Sequence, residues 1–116
     1  MEDLKISKEL FNEVTNSKCH EVFIKNEFII AHSNLGMKMV NIYEFVFINC
    51  KKWAYTKCNY TLESTSNPFG GFCKIEIYEI DIGKAYNKPD DVYRGTNEAE
   101  AIIKACEWIL ENKDNK

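Results

Sequence analysis

The sequence has few residues that interrupt secondary structure, and it has no long hydrophobic run. Two prolines and five glycines among 116 residues leave little room for linkers between domains. No stretch approaches the roughly 18 consecutive apolar residues of a membrane-spanning helix. The first nine residues are too charged for a secretory signal peptide. We therefore expect a single domain, at 1–116, that stays in the cytoplasm and does not enter a membrane.

Paired cysteines and a large excess of charge are also lacking. The five cysteines are odd in number, and no two of them have CxxC spacing. In a cytosolic protein this predicts reduced thiols rather than disulfides. The net charge of −3 disfavours nonspecific nucleic-acid binding, which draws on a basic face. A 45% share of hydrophobic residues is typical of a folded domain.

Two segments carry the same pattern for the start of a helix. One begins at Asn41 with Glu44 three residues later, and the other begins at Asn97 with Glu100. Asn at the N-cap followed by Glu at this spacing predicts a capping box. Apolar residues then recur at helical spacing on one stripe in each segment: Tyr43, Val46, Phe47, Cys50, Trp53 and Ala54, and Ala99, Ile102, Ile103, Cys106, Ile109 and Leu110.

The remaining patterns predict a short first helix capped by Ser7 and two pairs of strands. Residues 22–24 and 28–30 are strand formers, and Asn26 between them suits a tight hairpin. A second pair, 60–64 and 72–82, flanks a turn rich in Pro and Gly, while 33–38 is interpreted as a connecting loop. We predict an α+β two-layer sandwich in αββαββα order, with a four-stranded, mostly antiparallel sheet and the helices on one face.

No group of residues predicts a reaction. Cys19 and His20 are neighbours that point to opposite faces of a strand, and with His32 they match no common zinc spacing. The C-terminal third is rich in carboxylates that lack the order of a calcium-binding loop: Asp81, Asp90, Asp91, Glu98 and Glu100. We therefore predict a non-enzymatic protein with no catalytic residue, no cofactor and no metal. An enzyme that uses Cys19, His20 and His32 is the remaining alternative.

Apolar residues outside the helical stripes indicate where a partner binds. The helix at Asn41 carries three such residues, which predict a homodimer or a partner groove if only one side is covered. Trp108 either widens the buried face of its helix or anchors a partner. Acidic residues before that helix offer phosphate-like charge. The predicted partner-binding residues are Ile42, Phe45, Ile48, Trp108, Asp90 and Asp91.

A basic helix edge gives the alternative function. Lys51, Lys52 and Lys57, with Tyr55 among them, combine cations with an aromatic ring, as single-strand nucleic-acid binding requires. A solvated helix flank explains the same residues. The alternative hypothesis is therefore a small nucleic-acid-binding protein that uses this edge or a face of the sheet.

Four segments carry a resemblance: 6–10, 41–44, 50–54 and 98–110. On these residues the chain resembles small bacteriophage and prophage proteins of unknown function. The resemblance implies a mobile-element product made in a bacterial cytoplasm, and it transfers no site. By analogy with small phage proteins that block host machines, we expect a protein-binding module that binds a host or phage protein. An inhibitor of a host defence system such as CRISPR-Cas is one such role.

Overall fold

The computed structural model describes residues 4–77 and 92–113, and these residues form an α+β fold. The helices are α1 (Lys8–Thr15), a π-helix (Glu44–Cys50), α2 (Lys51–Cys58) and α3 (Glu98–Asn112). The strands are β1 (Glu21–Lys25), β2 (Phe28–Ser33), β3 (Gly36–Asn41), β4 (Tyr60–Asn67), β5 (Gly70–Ile77) and β6 (Tyr93–Gly95). The α+β class is the one that the sequence predicts.

The described strands form two antiparallel sheets of three strands, ordered β1-β2-β3 and β4-β5-β6. The prediction of one four-stranded sheet is therefore wrong. One part of the error lies at residues 33–38, where a two-residue turn between Ser33 and Gly36 leads directly into β3. The sequence prediction missed this strand because Ser, Asn and Gly are typical of loops, and these residues at the turn led to the whole segment being interpreted as a loop. Another part of the error is the short strand β6, which pairs with β5 in the second sheet. The end of the predicted strand 72–82 lies outside the described residues.

Three predicted helix caps are confirmed by side-chain hydrogen bonds. The hydroxyl of Ser7 accepts from the backbone N–H of Leu10 at 3.0 Å. The side chain of Asn97 accepts from the N–H of Glu100 at 2.8 Å. Asn41 accepts from two N–H groups, those of the second and third residues that follow it, at 2.9 and 3.2 Å. Each cap satisfies donors that the first helical turn leaves unpaired.

The helix that follows Asn41 begins as a π-helix and continues as α2. A π-helix closes its hydrogen bonds from i to i+5, so its turns are wider than those of an α-helix. The wider turn changes which residues face the core. Ile42, Phe45, Val46 and Cys50 are fully buried, whereas Tyr43 is exposed. In this part of the helix the predicted stripe, which assumed the α-helical period, is confirmed for Val46 and Cys50 and wrong for Tyr43, which is exposed while Ile42 and Phe45 are buried.

One hydrophobic core contains residues from both sheets and all the helices. The ring of Phe11 in α1 stacks on that of Phe45 in the π-helix, with 5.5 Å between their centroids. Helix α3 packs on the second sheet, and a Cβ added at Gly71 would lie 2.2 Å from the backbone of Asn97 and Glu98. Glycine at this position therefore permits the start of α3 to approach β5 closely.

Candidate protein-docking face

The first sheet has one face on the core and one face toward solvent. Successive residues of a strand point to opposite faces, so the pairing register assigns each residue to one of them. Val22, Ile24, Ile29, Ala31 and Val40 pack in or against the core. The opposite side of the same strands is called the outer face here, and its residues are Glu21, Phe23, Lys25, Phe28, Ile30, His32, Met37, Met39 and Asn41.

The centre of the outer face is an apolar row across all three strands. Phe23 of β1 pairs with Ile30 of β2, and Ile30 pairs with Met39 of β3. The flanking side chains are exposed, Phe23 by 39% and Met39 by 55%. Ile30 is only 9% exposed although it is not a member of the core cluster. The neighbouring side chains on the outer face therefore cover it, as in a small hydrophobic cluster on the surface.

The ends of the outer face carry polar groups together with the exposed side chains of Phe28 and Met37. One flanking row consists of Glu21, His32 and Met37, and the other consists of Lys25, Phe28 and Asn41. The imidazole of His32 stacks on the ring of Phe23, with 5.9 Å between centroids. The outer face is therefore an apolar centre with one acidic and one basic end along β1. A continuous apolar patch with a polar rim is typical of a protein–protein contact site.

The structure buries two of the predicted partner-binding residues. Ile42 and Phe45 are 0% exposed, so the chain itself covers them, and they cannot contact a partner in this fold. This part of the prediction is corrected by the turn of the π-helix toward the core. Ile48 is 60% exposed and remains on the surface. Asp90 and Asp91 lie outside the described residues.

Trp108 is half-buried and packs against the core from α3. Its ring meets that of Tyr60 edge-on, with 6.0 Å between centroids. It also lines a cavity of about 600 Å³ whose other walls are mostly charged: Lys5, Tyr93, Glu100, Ile103, Lys104, Glu107 and Glu111. The contact with Tyr60 agrees with the packing role that the sequence allowed for Trp108.

The basic helix edge borders a cleft of about 1050 Å³ between α1 and the helix that contains α2. Lys52 and Lys57 line the cleft together with Glu9 and Glu13 of α1. Lys51 instead lies over the ring of Phe47, with 5.9 Å from its Nζ to the centroid. The cations thus share the cleft with carboxylates, whereas phosphate recognition depends on a surface dominated by positive charge.

The residues nominated for catalysis are not assembled into a site. Cys19 is buried, and the side chain of Asn12 bonds both its N–H and its carbonyl, at 2.8 and 2.9 Å. His20 is exposed, and His32 stacks on the outer face. In the described part of the chain, no three His, Cys, Asp or Glu side chains are grouped so that they could hold a metal ion.

The five cysteines are free and buried. Burial, and after it the neighbouring Cys106, raise the pKa of the Cys73 thiol to about 12. A hydrogen bond with Cys50, followed by burial, raises the pKa of Cys106 well above its usual range. Nucleophilic cysteines need a lowered pKa and exposure, so Cys73 and Cys106 have the properties of core residues.

Comparison with known proteins gives no relative whose site could be compared with this one, so the site is interpreted from its geometry. No family model matches the chain, and neither the curated proteins nor the solved structures contain a significant match. Within residues 4–77 and 92–113, no helix has the length and apolar character needed to cross a membrane. The outer face is thus the feature from which a function can be argued.

Sequence reasoning missed the outer face because it treated β3 as a loop. A signal was present in residues 36–41, where Met37 and Met39 alternate with Lys38 and Val40. Alternation over so few residues is weak evidence for a strand when apolar side chains occur on both alternating faces. Pairing with β2 is what places the two methionines beside Ile30 and Phe23.

Proposed function

We propose that this chain is a non-enzymatic protein-binding module whose docking site is the outer face of the first sheet. The observation that supports the proposal is the apolar row of Phe23, Ile30 and Met39, in which the exposed side chains of Phe23 and Met39 flank the buried Ile30. Exposed apolar area is costly in water unless a partner covers it, at about 25 cal/mol per Å². Met37 and Met39 add adaptable side chains, which are common at protein-binding surfaces.

The occupant that fits this face is an amphipathic helix of a partner protein. Three strands spaced about 4.8 Å apart present a strip about 10 Å wide, and five residues of strand extend about 17 Å. A helix is about 10 Å across, and about three turns cover that length. With its axis along the strands, its apolar stripe would cross the central row, and its two ends would lie near the flanking rows that contain Glu21 and Lys25.

The identity of the partner rests on the resemblance to phage and prophage proteins. We propose a protein of the bacterial host as the partner, with inhibition of a defence system such as CRISPR-Cas as the role. A small module that covers a helix of a host enzyme can block it without any chemistry of its own.

The test compares two surface substitutions in affinity capture from a lysate of the bacterial host. Met39→Glu places a charge in the central row, and Ile48→Glu places one on the exposed side of the π-helix. We expect Met39→Glu to weaken capture of a specific host protein at least about tenfold, because a buried unpaired charge opposes binding. Ile48→Glu should retain the protein, and circular dichroism should show that both variants are folded.

A photo-crosslinker at position 37 then identifies the occupant. Cross-links to a helical segment of the captured protein are expected. Equal capture by Met39→Glu and the unchanged chain would contradict the proposal, as would cross-links confined to nucleic acid. Salt-dependent nucleic-acid retention that is lost in Lys52→Glu would favour the alternative function instead.

A further inference from the structure

Strand β1 is an edge strand with backbone groups available for pairing. Within the described residues it pairs with β2 alone. The N–H of His20 donates to the carbonyl of His32, and the N–H of Ile42 donates to the carbonyl of Glu27. These bonds orient the carbonyl of His32 toward β1. The backbone N–H and C=O groups of successive residues in a strand point alternately to its two sides. Glu21, Phe23 and Lys25 therefore direct their N–H and C=O groups toward β2 and bond to it.

It follows that the backbone N–H and C=O groups of Val22 and Ile24 point away from β2, along the outer edge of the sheet. The five residues of β1 are exposed or half-buried, in strict alternation. An open edge with unpaired donors and acceptors is a template for another strand. The chemistry of that strand is indicated by the sequence of β1 itself.

The sequence of β1 is complementary to its own reverse. It reads Glu-Val-Phe-Ile-Lys, with an acid at one end, a base at the other and three apolar residues between them. In antiparallel pairing centred on Phe23, each Glu21 faces a Lys25, each Val22 faces an Ile24, and the two Phe23 rings are neighbours. Opposite charges and aromatic pairs directly across from each other stabilise antiparallel strands.

We propose that two copies of this chain associate through their β1 edges, with Phe23 on the two-fold axis. Val22 and Ile24 of each copy would exchange backbone hydrogen bonds, and the two three-stranded sheets would become one continuous sheet. A two-fold contact of this kind uses the same surface on both copies and closes after two.

The other edge of the sheet is a poorer match to itself. A two-fold axis perpendicular to the sheet pairs residues that lie on the same face. In the two registers that pair most of β3 with itself, the axis passes through Lys38, which places two like charges together, or through Met39, which brings no charge pair. Like charges directly opposite each other destabilise a strand pair. The charge pattern therefore selects β1.

The proposed dimer does not depend on the docking function. It would bring the outer faces of the two copies side by side, because pairing about this axis preserves the face on which Phe23 lies. Two apolar rows would then form one surface with the two-fold axis at its centre. A monomeric chain could still dock a helix, and a dimeric one could still lack a partner, so the two proposals fail separately.

A charge-swap cycle tests the dimer by analytical ultracentrifugation at low salt. Glu21→Lys places Lys opposite Lys25 twice, and Lys25→Glu places Glu opposite Glu21 twice. Each single change should raise the dimer dissociation constant about tenfold or more, since attraction becomes repulsion in two pairs. The double variant E21K/K25E restores both pairs, and its dissociation constant should return to within about threefold of the original.

Amide hydrogen exchange provides a second readout. The amides of Val22 and Ile24 should become protected as protein concentration rises, while that of Phe23, which faces β2, should be protected at all concentrations. A monomer of 13.5 kDa across the accessible concentration range would overturn the proposal. So would a dimer that Glu21→Lys leaves unchanged, or one that Met39→Glu dissociates while the edge amides stay unprotected.

Discussion

At the scale of single residues, the buried thiols are the groups whose titration the fold changes most clearly. Cys73 lies on β5 and Cys106 on α3, and both are 0% exposed. The raised pKa of Cys73 follows first from burial and then from Cys106. A folded chain therefore holds these protons at a pH where the unfolded chain releases them, and this difference couples stability to pH.

We predict that the free energy of unfolding falls as the pH rises above about 8.5, the usual pKa of a thiol in an unfolded chain. Below that pH the Cys73 thiol is protonated in both the folded and the unfolded chain, so its full contribution to stability is present. Between there and the folded pKa of about 12 for Cys73, each pH unit should cost up to about 1.4 kcal/mol.

Urea unfolding at about pH 7.5, 9.5 and 10.5 measures this effect against Cys73→Ala, which lacks the thiol. The variant should be less stable at the lowest pH and should lose less stability as the pH rises. If the free energy of unfolding changed with pH in the same way in the two proteins, Cys73 would not be the cause of the pH dependence.

At the scale of elements, the π-helix determines which apolar residues the chain covers. Within it Phe45 is turned to the core and Ile48 stays outside, while just before it Ile42 is buried and Tyr43 is exposed. Phe45 stacks on Phe11, so the π-helix also holds α1 in place. The surplus of apolar residues in this helix is thus explained mostly within the chain, without a partner.

Phe45→Ala and Ile48→Ala form a matched pair that tests this account. We predict that Phe45→Ala lowers the free energy of unfolding by about 3–5 kcal/mol, because it leaves a cavity in the core. Ile48→Ala should change it by no more than about 0.5 kcal/mol, since Ile48 is on the surface. Chemical denaturation followed by circular dichroism measures both, and similar costs for the two would contradict the assignment of faces.

At the scale of the whole molecule, the chain repeats one arrangement after α1. Each sheet is a meander of three strands, and each is followed by a helix that an Asn side chain caps. The two halves nevertheless share one core, because α3 contacts the π-helix as well as the second sheet. A shared core couples the halves during unfolding.

Two single-tryptophan variants test this coupling. Trp108→Phe retains Trp53 as a reporter of the first half, and Trp53→Phe retains Trp108 as a reporter of the second. We predict that the fluorescence transition of each variant coincides with its own loss of circular dichroism in urea, as a two-state transition requires. A fluorescence midpoint that precedes the circular dichroism midpoint in either variant would show that the halves unfold separately.

Local signals in the sequence were sufficient for the caps, for the hairpin turn at Asn26 and for the class of fold. Ser7, Asn41 and Asn97 cap helices through hydrogen bonds that span only two or three residues. Asn26 adopts a left-handed conformation, with φ of 57°, in the predicted hairpin turn. These features depend on residues close together in the chain, so the pattern of types along the sequence is enough to predict them.

The sequence by itself determined the caps, the hairpin at Asn26 and the mixture of helices and strands. Tertiary structure alone decided that β3 completes a three-stranded sheet and that a π-helix turns Phe45 inward. It also decided that Phe23, Ile30 and Met39 form one row on the surface. The physical reason is that strand pairing and the width of a helical turn depend on contacts between residues distant in sequence, which no local pattern contains.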